Sequence, residues 1–365
     1  MKIHLITLAA FPFASAESIH LALFSKAMAS LCEFSLVTPI KFWRPKTASL
    51  NISARYGIPK ESIRQVKMIQ TTRSGEDFVR KAVGKACTDG ALIYARQESV
   101  IREAHRRGAR CVWEIHSLPN KDGLDTIRTA LSSGSLIQMI VISEALRSDL
   151  IAALELDGLD SKILLARDAA DISRFALTPL ARENPAVGYL GSAYPGKGCE
   201  IIVPLARICS EISFVFFGAT RRELTERFGN LPANLKVMGK VRYSEIASAM
   251  AKFDIALLPN QPSVLMSNGD DIGRYTSPMK LFEYMAAGKA ILGSDLPIIR
   301  EVLEQGHTAI LVPHDRIDQW AVALRHVCSD FDLRDRLSKN AYSKFLEKFT
   351  YQARARDVLS ALSEG

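Results

Sequence analysis

Apolar runs alternate with amphipathic stretches along almost the whole chain. Short apolar runs with few charges predict buried strands, and the longer stretches between them predict helices. This alternation is typical of an α/β fold, a parallel sheet wound with helices on both faces. The strands predicted in the first half span 3–8, 34–37, 91–94, 111–115, 139–142 and 163–165, and the helices span 17–31, 76–88, 97–107 and 144–155.

The pattern lapses once and then starts again. Residues 171–185 hold two prolines among polar residues and predict a linker. After it, the predicted strands span 187–190, 214–217, 235–238, 255–258, 290–292 and 309–312, and the helices span 199–209, 221–228, 243–252, 278–287, 315–328, 331–345 and 350–363. We therefore expect two Rossmann-like domains, 1–170 and 186–345, that bind ligands beyond the carboxyl ends of their strands.

The first 16 residues fit two interpretations. One lysine, an apolar run and small residues before position 16 are typical of a secretory signal. Alternatively, residues 3–8 form a buried first strand, followed by a loop and a helix from about residue 17. We favour the strand because the α/β pattern needs it.

Composition and charge narrow the class of protein. The 365 residues are 48% hydrophobic and 24% charged, which is ordinary for a globular chain, and no apolar run approaches the roughly 18 residues that span a bilayer. The formal charge of +8 lies mainly in residues 1–168, where Lys and Arg outnumber Asp and Glu by 23 to 17. Such a half suits an acidic surface or acceptor. Nucleic acid is less favoured, because basic and aromatic residues do not interleave in a recognised module.

Cysteines and short motifs argue against several chemistries. The six cysteines form no CxxC pair, and several lie in apolar stretches, so we expect buried free thiols in a reducing compartment and no zinc site. The sequence has no GxxxxGK[ST], GxSxG or HExxH signature. Asp270 and Asp271 are adjacent and lack the Asp-x-Asp spacing of metal-dependent transferases. No metal is expected.

The most informative stretch is YTSPMKLFEYMAAGK at 275–289. Ser277 is the predicted N-cap of a helix, Pro278 fits its first turn, and Gly288 fits its end. The free amides at such a helix start, around Ser277, Pro278, Met279 and Lys280, make an anion site suited to a diphosphate. Glu283 is then placed to accept hydrogen bonds from ribose hydroxyls. The alternative is that Lys280 and Glu283 form an ordinary surface ion pair.

This string resembles the donor-site segment of the retaining glycosyltransferases of family four, also called group 1. The resemblance continues through 294–303 and 308–313, includes GYLGSAYPGKG at 188–198, and covers residues 186–345 clearly. It is weaker at 92–96, 114–119 and 141–144. The resemblance implies the GT-B fold, in which two Rossmann-like domains face each other across a cleft. It also implies that the last segment, 346–365, packs back on the first domain.

The same resemblance implies an activity. It is the retaining transfer of a hexose from a nucleoside diphosphate sugar to a glycan or lipid-linked acceptor, as in cell-surface polysaccharide or glycolipid synthesis. No cofactor is implied, and the leaving phosphate assists the incoming hydroxyl. The expected location is cytoplasmic, with contact at the inner face of the membrane left open.

Site residues follow from matched positions. Glu283 matches the glutamate that binds the donor ribose, but Tyr275 stands where the family has a second glutamate that contacts the sugar. The sugar is then held by backbone groups at 277–280, or by Asp270 or Asp271. Lys197 matches the lysine that neutralises the leaving diphosphate, unless it is simply a solvated lysine.

Two further candidate residues lie in the loop that carries Lys197, after the strand predicted at 187–190. Gly191 and Ser192 belong to the same loop as Lys197, and Ser192 stands where relatives carry an arginine. Lys280 or Arg274 is a candidate to replace that cation.

Three candidates lie in the first half. His116 matches the histidine that contacts the donor sugar, although a partly buried structural histidine is the alternative. Ser15, in the Ala-Ser-Ala segment 14–16, stands where relatives place glycines near the diphosphate. His20 is not expected to take part directly. The segment KFWRPK at 41–46 mixes aromatics with cations and is either a contact for an anionic lipid surface or an ordinary exposed loop.

Two other classes of protein remain open. An exported two-lobed sugar-binding protein would close around a sugar and catalyse nothing. A GT-B protein that has lost activity is also compatible with Tyr275 and Ser192.

Overall fold

The computed structural model describes residues 1–9, 11, 15–39, 55–56, 58, 67–71, 75–156, 158–264, 271 and 273–364. The chain forms two compact units. The first comprises Met1–Arg167 with Tyr351–Gly365, and the second comprises Asp168–Thr350.

The first unit is built on a parallel sheet of seven strands. They are β1 (Lys2–Ile6), β2 (Glu33–Pro39), β3 (Lys67–Thr71), β4 (Leu92–Ala95), β5 (Cys111–Ile115), β6 (Leu136–Val141) and β7 (Ile163–Leu165). Their order, β3-β2-β1-β4-β5-β6-β7, is that of a doubly wound Rossmann sheet extended by one strand. The helices between them are α1 (Ala16–Ala29), α2 (Gly75–Thr88), α3 (Glu98–Arg106), α4 (Lys121–Ser132) and α5 (Glu144–Leu154).

The second unit repeats the same plan. Its strands are β8 (Val187–Leu190), β9 (Phe214–Phe217), β10 (Leu235–Val237), β11 (Ile255–Leu258), β12 (Ala290–Ser294) and β13 (Ile310–Val312). They form a parallel sheet in the order β10-β9-β8-β11-β12-β13. Its helices are α6 (Cys199–Ile208), α7 (Arg221–Phe228), α8 (Ile246–Met250), α9 (Met279–Ala286), α10 (Pro297–Arg300), α11 (Ile317–Ser329) and α12 (Phe331–Lys348). The predicted α/β class, with two doubly wound parallel sheets, is confirmed.

Alternating strand residues build the core on both faces of the second sheet. In β11, Ile255 and Leu257 join one buried cluster, whereas Ala256 and Leu258 join the other. Each cluster also contains residues of the flanking helices, such as Leu281 of α9 on one face and Trp320 of α11 on the other. A parallel sheet covered on both faces explains why these strands are continuously apolar in the sequence.

The units divide at two points of the chain. One lies between Arg167 and Asp168, so residues 171–185 belong to the second unit. The other lies after Thr350, where α13 (Tyr351–Glu364) joins the first unit and packs against α1.

Some elements differ from the sequence predictions. Strand β3 and helix α4 were not predicted, because KMIQT pairs with β2 alone as an edge strand and α4 carries a glycine among polar residues. The side chain of Asn120, which accepts a hydrogen bond from the Gly123 N–H at 2.9 Å, was the missed helix-start signal. The cysteines are free, as expected, but Cys87 is exposed rather than buried. Residues 41–46 and Asp270 lie outside the described residues.

Candidate functional site

Helix α9 begins one residue later than the sequence predicts. Its N-cap is Pro278, with φ −76° and ψ 114°, and the Leu281 N–H donates to the Pro278 carbonyl at 2.9 Å. Ser277 is therefore not the N-cap, although it is buried just before it. Proline has no side-chain oxygen to cap the first amides, so they remain available to a ligand. The predicted helix end is confirmed, since Gly288 takes φ +61° after Ala287.

The loop after β8 is held by a buried tyrosine. The Tyr189 hydroxyl lies 3.1 Å from the Ser192 carbonyl oxygen and 2.8 Å from that of Lys197. Gly196 has φ +81°, and a Cβ there would lie 2.2 Å from the Ser263 carbonyl oxygen. The loop therefore has little freedom to move the Lys197 backbone.

Lys280 of α9 meets this same loop. Its Nζ donates to the Tyr189 hydroxyl at 2.9 Å, and a Cβ added at Gly191 would lie 2.8 Å from that Nζ. The structure thus brings Lys280, Gly191, Ser192 and Lys197 together. Tyr189 was not predicted as part of this cluster, because its signal in the sequence was only that of a buried strand residue.

The two amines share an environment that disfavours their charge. Burial lowers the pKa of Lys280 to about 7, and the positive charge of Lys197 acts in the same direction. Burial also lowers the pKa of Lys197. An anion placed between two such amines would relieve both effects, since an opposite charge favours the protonated form.

Glu283 is buried in a polar cluster and is only 5% exposed. Burial raises its pKa to about 7, although the hydrogen bond with Tyr243 and the charges of Arg174 and Lys280 lower it. The Arg174 guanidinium lies 4.3 Å from the centre of the Tyr243 ring and donates to the Tyr243 carbonyl at 2.7 Å. The alternative of a surface ion pair between Lys280 and Glu283 is therefore wrong.

Other candidates near α9 are less well placed. The Asp271 carboxylate accepts hydrogen bonds from the Val264 and Gly273 N–H groups at 2.9 and 2.8 Å, so it serves its own loop. The Arg274 guanidinium is 6.0 Å from the centre of the Tyr275 ring. Lys280, one of the two cations considered as replacements for the arginine missing at Ser192, lies at the loop.

In the first unit, His116 follows β5 and its Nε2 donates to the Glu114 carboxylate at 2.6 Å. Ser15 is the N-cap of α1, where its hydroxyl accepts from the Ser18 N–H at 3.2 Å. His20 is 4% exposed and contacts the same Glu114 carboxylate at 3.4 Å.

The described residues contain neither a metal-binding cluster nor a membrane-spanning helix. Within the described ranges, no cluster of three or more His, Cys, Asp or Glu side chains has a geometry that would hold a metal ion. The same part of the chain contains no helix with both the length and the apolar content needed to span a bilayer.

The match to a family model lies in the second unit. Residues 184–330 match the family described as Glycosyl transferases group 1. Over 204 residues the chain is 30% identical to a phosphatidyl-myo-inositol mannosyltransferase of Mycolicibacterium smegmatis, a match that covers 53% of this chain and 50% of that protein. The chain spans about half the length of the curated relatives it matches.

Similarity of fold extends over the whole chain. HepE of Anabaena, solved in complex with UDP, superposes with a TM-score of 0.73 at 15% identity, covering 100% of both chains. A glycosyltransferase of Rickettsia africae superposes with a TM-score of 0.76 at 12% identity, covering 100% of this chain and 98% of the other. The chain therefore has the fold of the GT-B glycosyltransferases, and its residues 184–330 are similar to the glycosyl transferases group 1.

Proposed function

We propose that the protein is a retaining hexosyltransferase that takes its sugar from a nucleoside diphosphate donor. The observation that carries this proposal is the meeting of Lys280, at the start of α9, with the Gly191–Lys197 loop, while Glu283 lies one turn further along the same helix. Two cations and a carboxylate at this spacing match the diphosphate and ribose of one nucleotide. The match of residues 184–330 to a glycosyltransferase family supports the proposal.

The cations act on the leaving group. When the bond between the sugar's anomeric carbon and the phosphate oxygen breaks, its electron pair stays on the diphosphate. Ammonium groups at Lys197 and Lys280, with the first amides of α9, stabilise that growing charge. No metal or cofactor is proposed, and the departing phosphate oxygen assists deprotonation of the acceptor hydroxyl.

Glu283 binds the ribose. Its carboxylate accepts hydrogen bonds from two ribose hydroxyls, and Tyr243 and Arg174 hold it in place. With Tyr275 in place of a glutamate, the sugar is held by backbone groups at 277–280. His116 is the proposed side-chain contact of the sugar, and Ser15 is proposed to lie near the diphosphate.

The acceptor is proposed to be a glycan or a lipid-linked glycan. The Mycolicibacterium smegmatis relative is named for an acceptor that is a phospholipid, and the excess of cations in residues 1–168 suits an acidic partner. Such an acceptor is consistent with a cytoplasmic protein that touches the inner face of a membrane.

A donor panel tests the proposal. Thermal shifts with UDP, GDP and ADP, and with their sugars, identify the donor, because a ligand stabilises the fold by an amount that grows with its affinity and concentration. Lys197→Met and Lys280→Met are expected to lower transfer from that donor at least about a hundredfold, in the range found for single groups that stabilise developing charge. Lys252→Met, which removes an exposed lysine of the same unit, is expected to have no effect.

The outcomes are distinct. Undiminished transfer in both lysine variants would contradict the assigned roles. A donor that binds without being transferred or hydrolysed would contradict the enzyme and favour the impaired GT-B protein or the sugar-binding protein.

A further inference from the structure

A carboxylate is buried directly behind His116. Glu114 is the fourth residue of β5 and is 1% exposed. A charged side chain is stable in such a place only when its oxygens are fully paired. The identity of its partners therefore determines what Glu114 does.

Each carboxylate oxygen faces two donors. Oε1 accepts from His116 Nε2 at 2.6 Å and lies 3.4 Å from His20 Nε2. Oε2 lies 3.1 Å from an Arg354 guanidinium nitrogen and accepts the Tyr94 hydroxyl. Two hydrogen bonds, from His116 and Tyr94, and two further ion-pair contacts, with Arg354 and His20, hold the carboxylate within the first unit.

These partners decide where the protons are. Burial on its own would raise the pKa of Glu114, but Arg354, His20 and His116 together hold it well below its usual value. Burial and the Glu114 charge raise the pKa of Tyr94, so that hydroxyl keeps its proton and donates. An ionised carboxylate is an acceptor only, so the proton shared with His116 belongs to the imidazole Nε2.

We propose that Glu114 and Arg354 are positioning residues that hold the His116 imidazole with its proton on Nε2 and its lone pair on Nδ1. A neutral imidazole has one donor and one acceptor nitrogen, and the bond at one fixes the role of the other. His116 then accepts a hydrogen bond from a hydroxyl of the sugar rather than donating one to it. This inference rests on the proposed function in taking His116 as the residue that contacts the sugar.

Arg354 comes from the last helix of the chain. Its guanidinium also donates to the carbonyls of Ala166 and Arg167, the latter at 2.5 Å, at the point where the chain leaves the first unit. His20 is held in turn by Tyr351 of the same helix, whose hydroxyl lies 3.4 Å from its Nδ1. Helix α13 thus supplies two of the side chains that order this network.

Nitrogen-15 spectra of the histidines in the full-length protein test the tautomer directly. At pH 8 the wild type is expected to show His116 protonated on Nε2, with its signals assigned by their loss in His116→Gln. Glu114→Gln is expected to give a mixture of tautomers, and Arg354→Met to shift His116 in the same direction. Arg356→Met, an exposed arginine of the same helix, is the control and is expected to leave the spectrum unchanged.

Transfer rates give a second, separable readout. Glu114→Gln is expected to lower turnover at least about tenfold, as loss of an outer partner does for other functional histidines. In the His116→Gln background the same change is expected to cost nothing further. Donor affinity is expected to stay within about twofold, because Lys197, Lys280 and Glu283, which are proposed to bind the diphosphate and the ribose, lie in the second unit.

Each arm has a result that overturns the inference. If His116 of the wild type is protonated on Nδ1 or on both nitrogens, the inference is contradicted. It is also contradicted if Glu114→Gln keeps the wild-type tautomer. Should Glu114→Gln fail to fold, the same result in Arg354→Met contradicts it. Additive losses in the double variant contradict the route through His116. If no nucleotide sugar is transferred at all, the proposed function fails, while the spectra still decide the tautomer.

Discussion

At the scale of the residue, the donor site depends on side chains whose charge is opposed by burial. Glu283 is 5% exposed, and Lys280 is half-buried against the Gly191–Lys197 loop. Each has a pKa of about 7. Ionisable side chains whose charge is disfavoured by burial are concentrated at functional sites, which supports the roles proposed for these two residues.

The buried carboxyl makes a prediction about stability and pH. Because the pKa of Glu283 is raised from 4.5 to about 7, the folded state holds a proton that the unfolded state has lost. Stability from this group is present below about pH 4.5 and is lost as pH rises to about 7. Glu283→Gln has no carboxyl group at this position and therefore does not lose this stability as the pH rises. The free energy of unfolding of the variant minus that of the wild type should increase by about 2–3 kcal/mol from pH 5 to pH 8. Urea denaturation without ligand measures this, and a difference that is the same at both pH values would contradict the burial of the charge.

Most residues of the proposed donor site were predicted from the sequence, but the contacts that organise them were not. The run from Ser277 to Glu283 and Lys197 were predicted from a helix-start pattern and a family resemblance. Tyr189 and Tyr243, which hold Lys280 and Glu283, were not predicted, because an apolar strand residue and a loop tyrosine carry no spacing signal. Contacts between residues about 40 or 90 positions apart arise only when the fold brings them together.

At the scale of the element, Tyr189 links β8, the loop and α9. Tyr189→Phe removes the hydroxyl that contacts the carbonyls of Ser192 and Lys197 and accepts from Lys280. We expect about tenfold weaker binding of the nucleoside diphosphate, the equivalent of one lost hydrogen bond, as measured by calorimetric titration. Tyr342→Phe, on α12, is the matched control and should leave the affinity for the nucleoside diphosphate unchanged. If Tyr189→Phe binds the nucleoside diphosphate as tightly as Tyr342→Phe does, the Tyr189 hydroxyl does not contribute to binding.

Residues 171–185, which read as a linker in the sequence, are held in the second unit by a buried arginine. Arg334 of α12 is 0% exposed and donates to the carbonyls of Ala181, Arg182, Val327 and Cys328. The sequence did not predict this contact, because a lone arginine in a helix is usually at the surface.

Loss of this arginine should therefore destabilise the second unit. Arg334→Met leaves buried carbonyls unpaired, and we expect a loss of about 3 kcal/mol or more in the stability of that unit. Hydrogen exchange should quicken at 181–186 and 327–334, whereas the exposed Arg336→Met should leave it as in wild type. Unchanged exchange in Arg334→Met would mean that another contact holds the segment.

At the scale of the whole molecule, the alternation of apolar runs was enough to predict two doubly wound units. It was not enough to place their limits, since α13 follows the second unit in the chain but belongs to the first. Helix α13 is held in the first unit by contacts of Arg354 with Glu114 and of Tyr351 with His20. No local sequence pattern encodes pairs of residues so far apart in the chain. The two units carry different parts of the proposed function: nucleotide binding in the second and the sugar-facing histidine in the first.

The central claim is that Lys197 and Lys280 bind the diphosphate of the donor, whereas Glu283 binds the hydroxyls of its ribose. Calorimetric titration of wild type, Lys280→Met and Glu283→Gln with UDP, UMP and 2′-deoxy-UDP, or the matching set for the base preferred in the donor panel, separates the two roles. We predict that Lys280→Met lowers the preference for diphosphate over monophosphate by about ten- to a hundredfold, while Glu283→Gln lowers only the preference for ribose over deoxyribose. Equal losses for all three ligands in both variants would contradict the account.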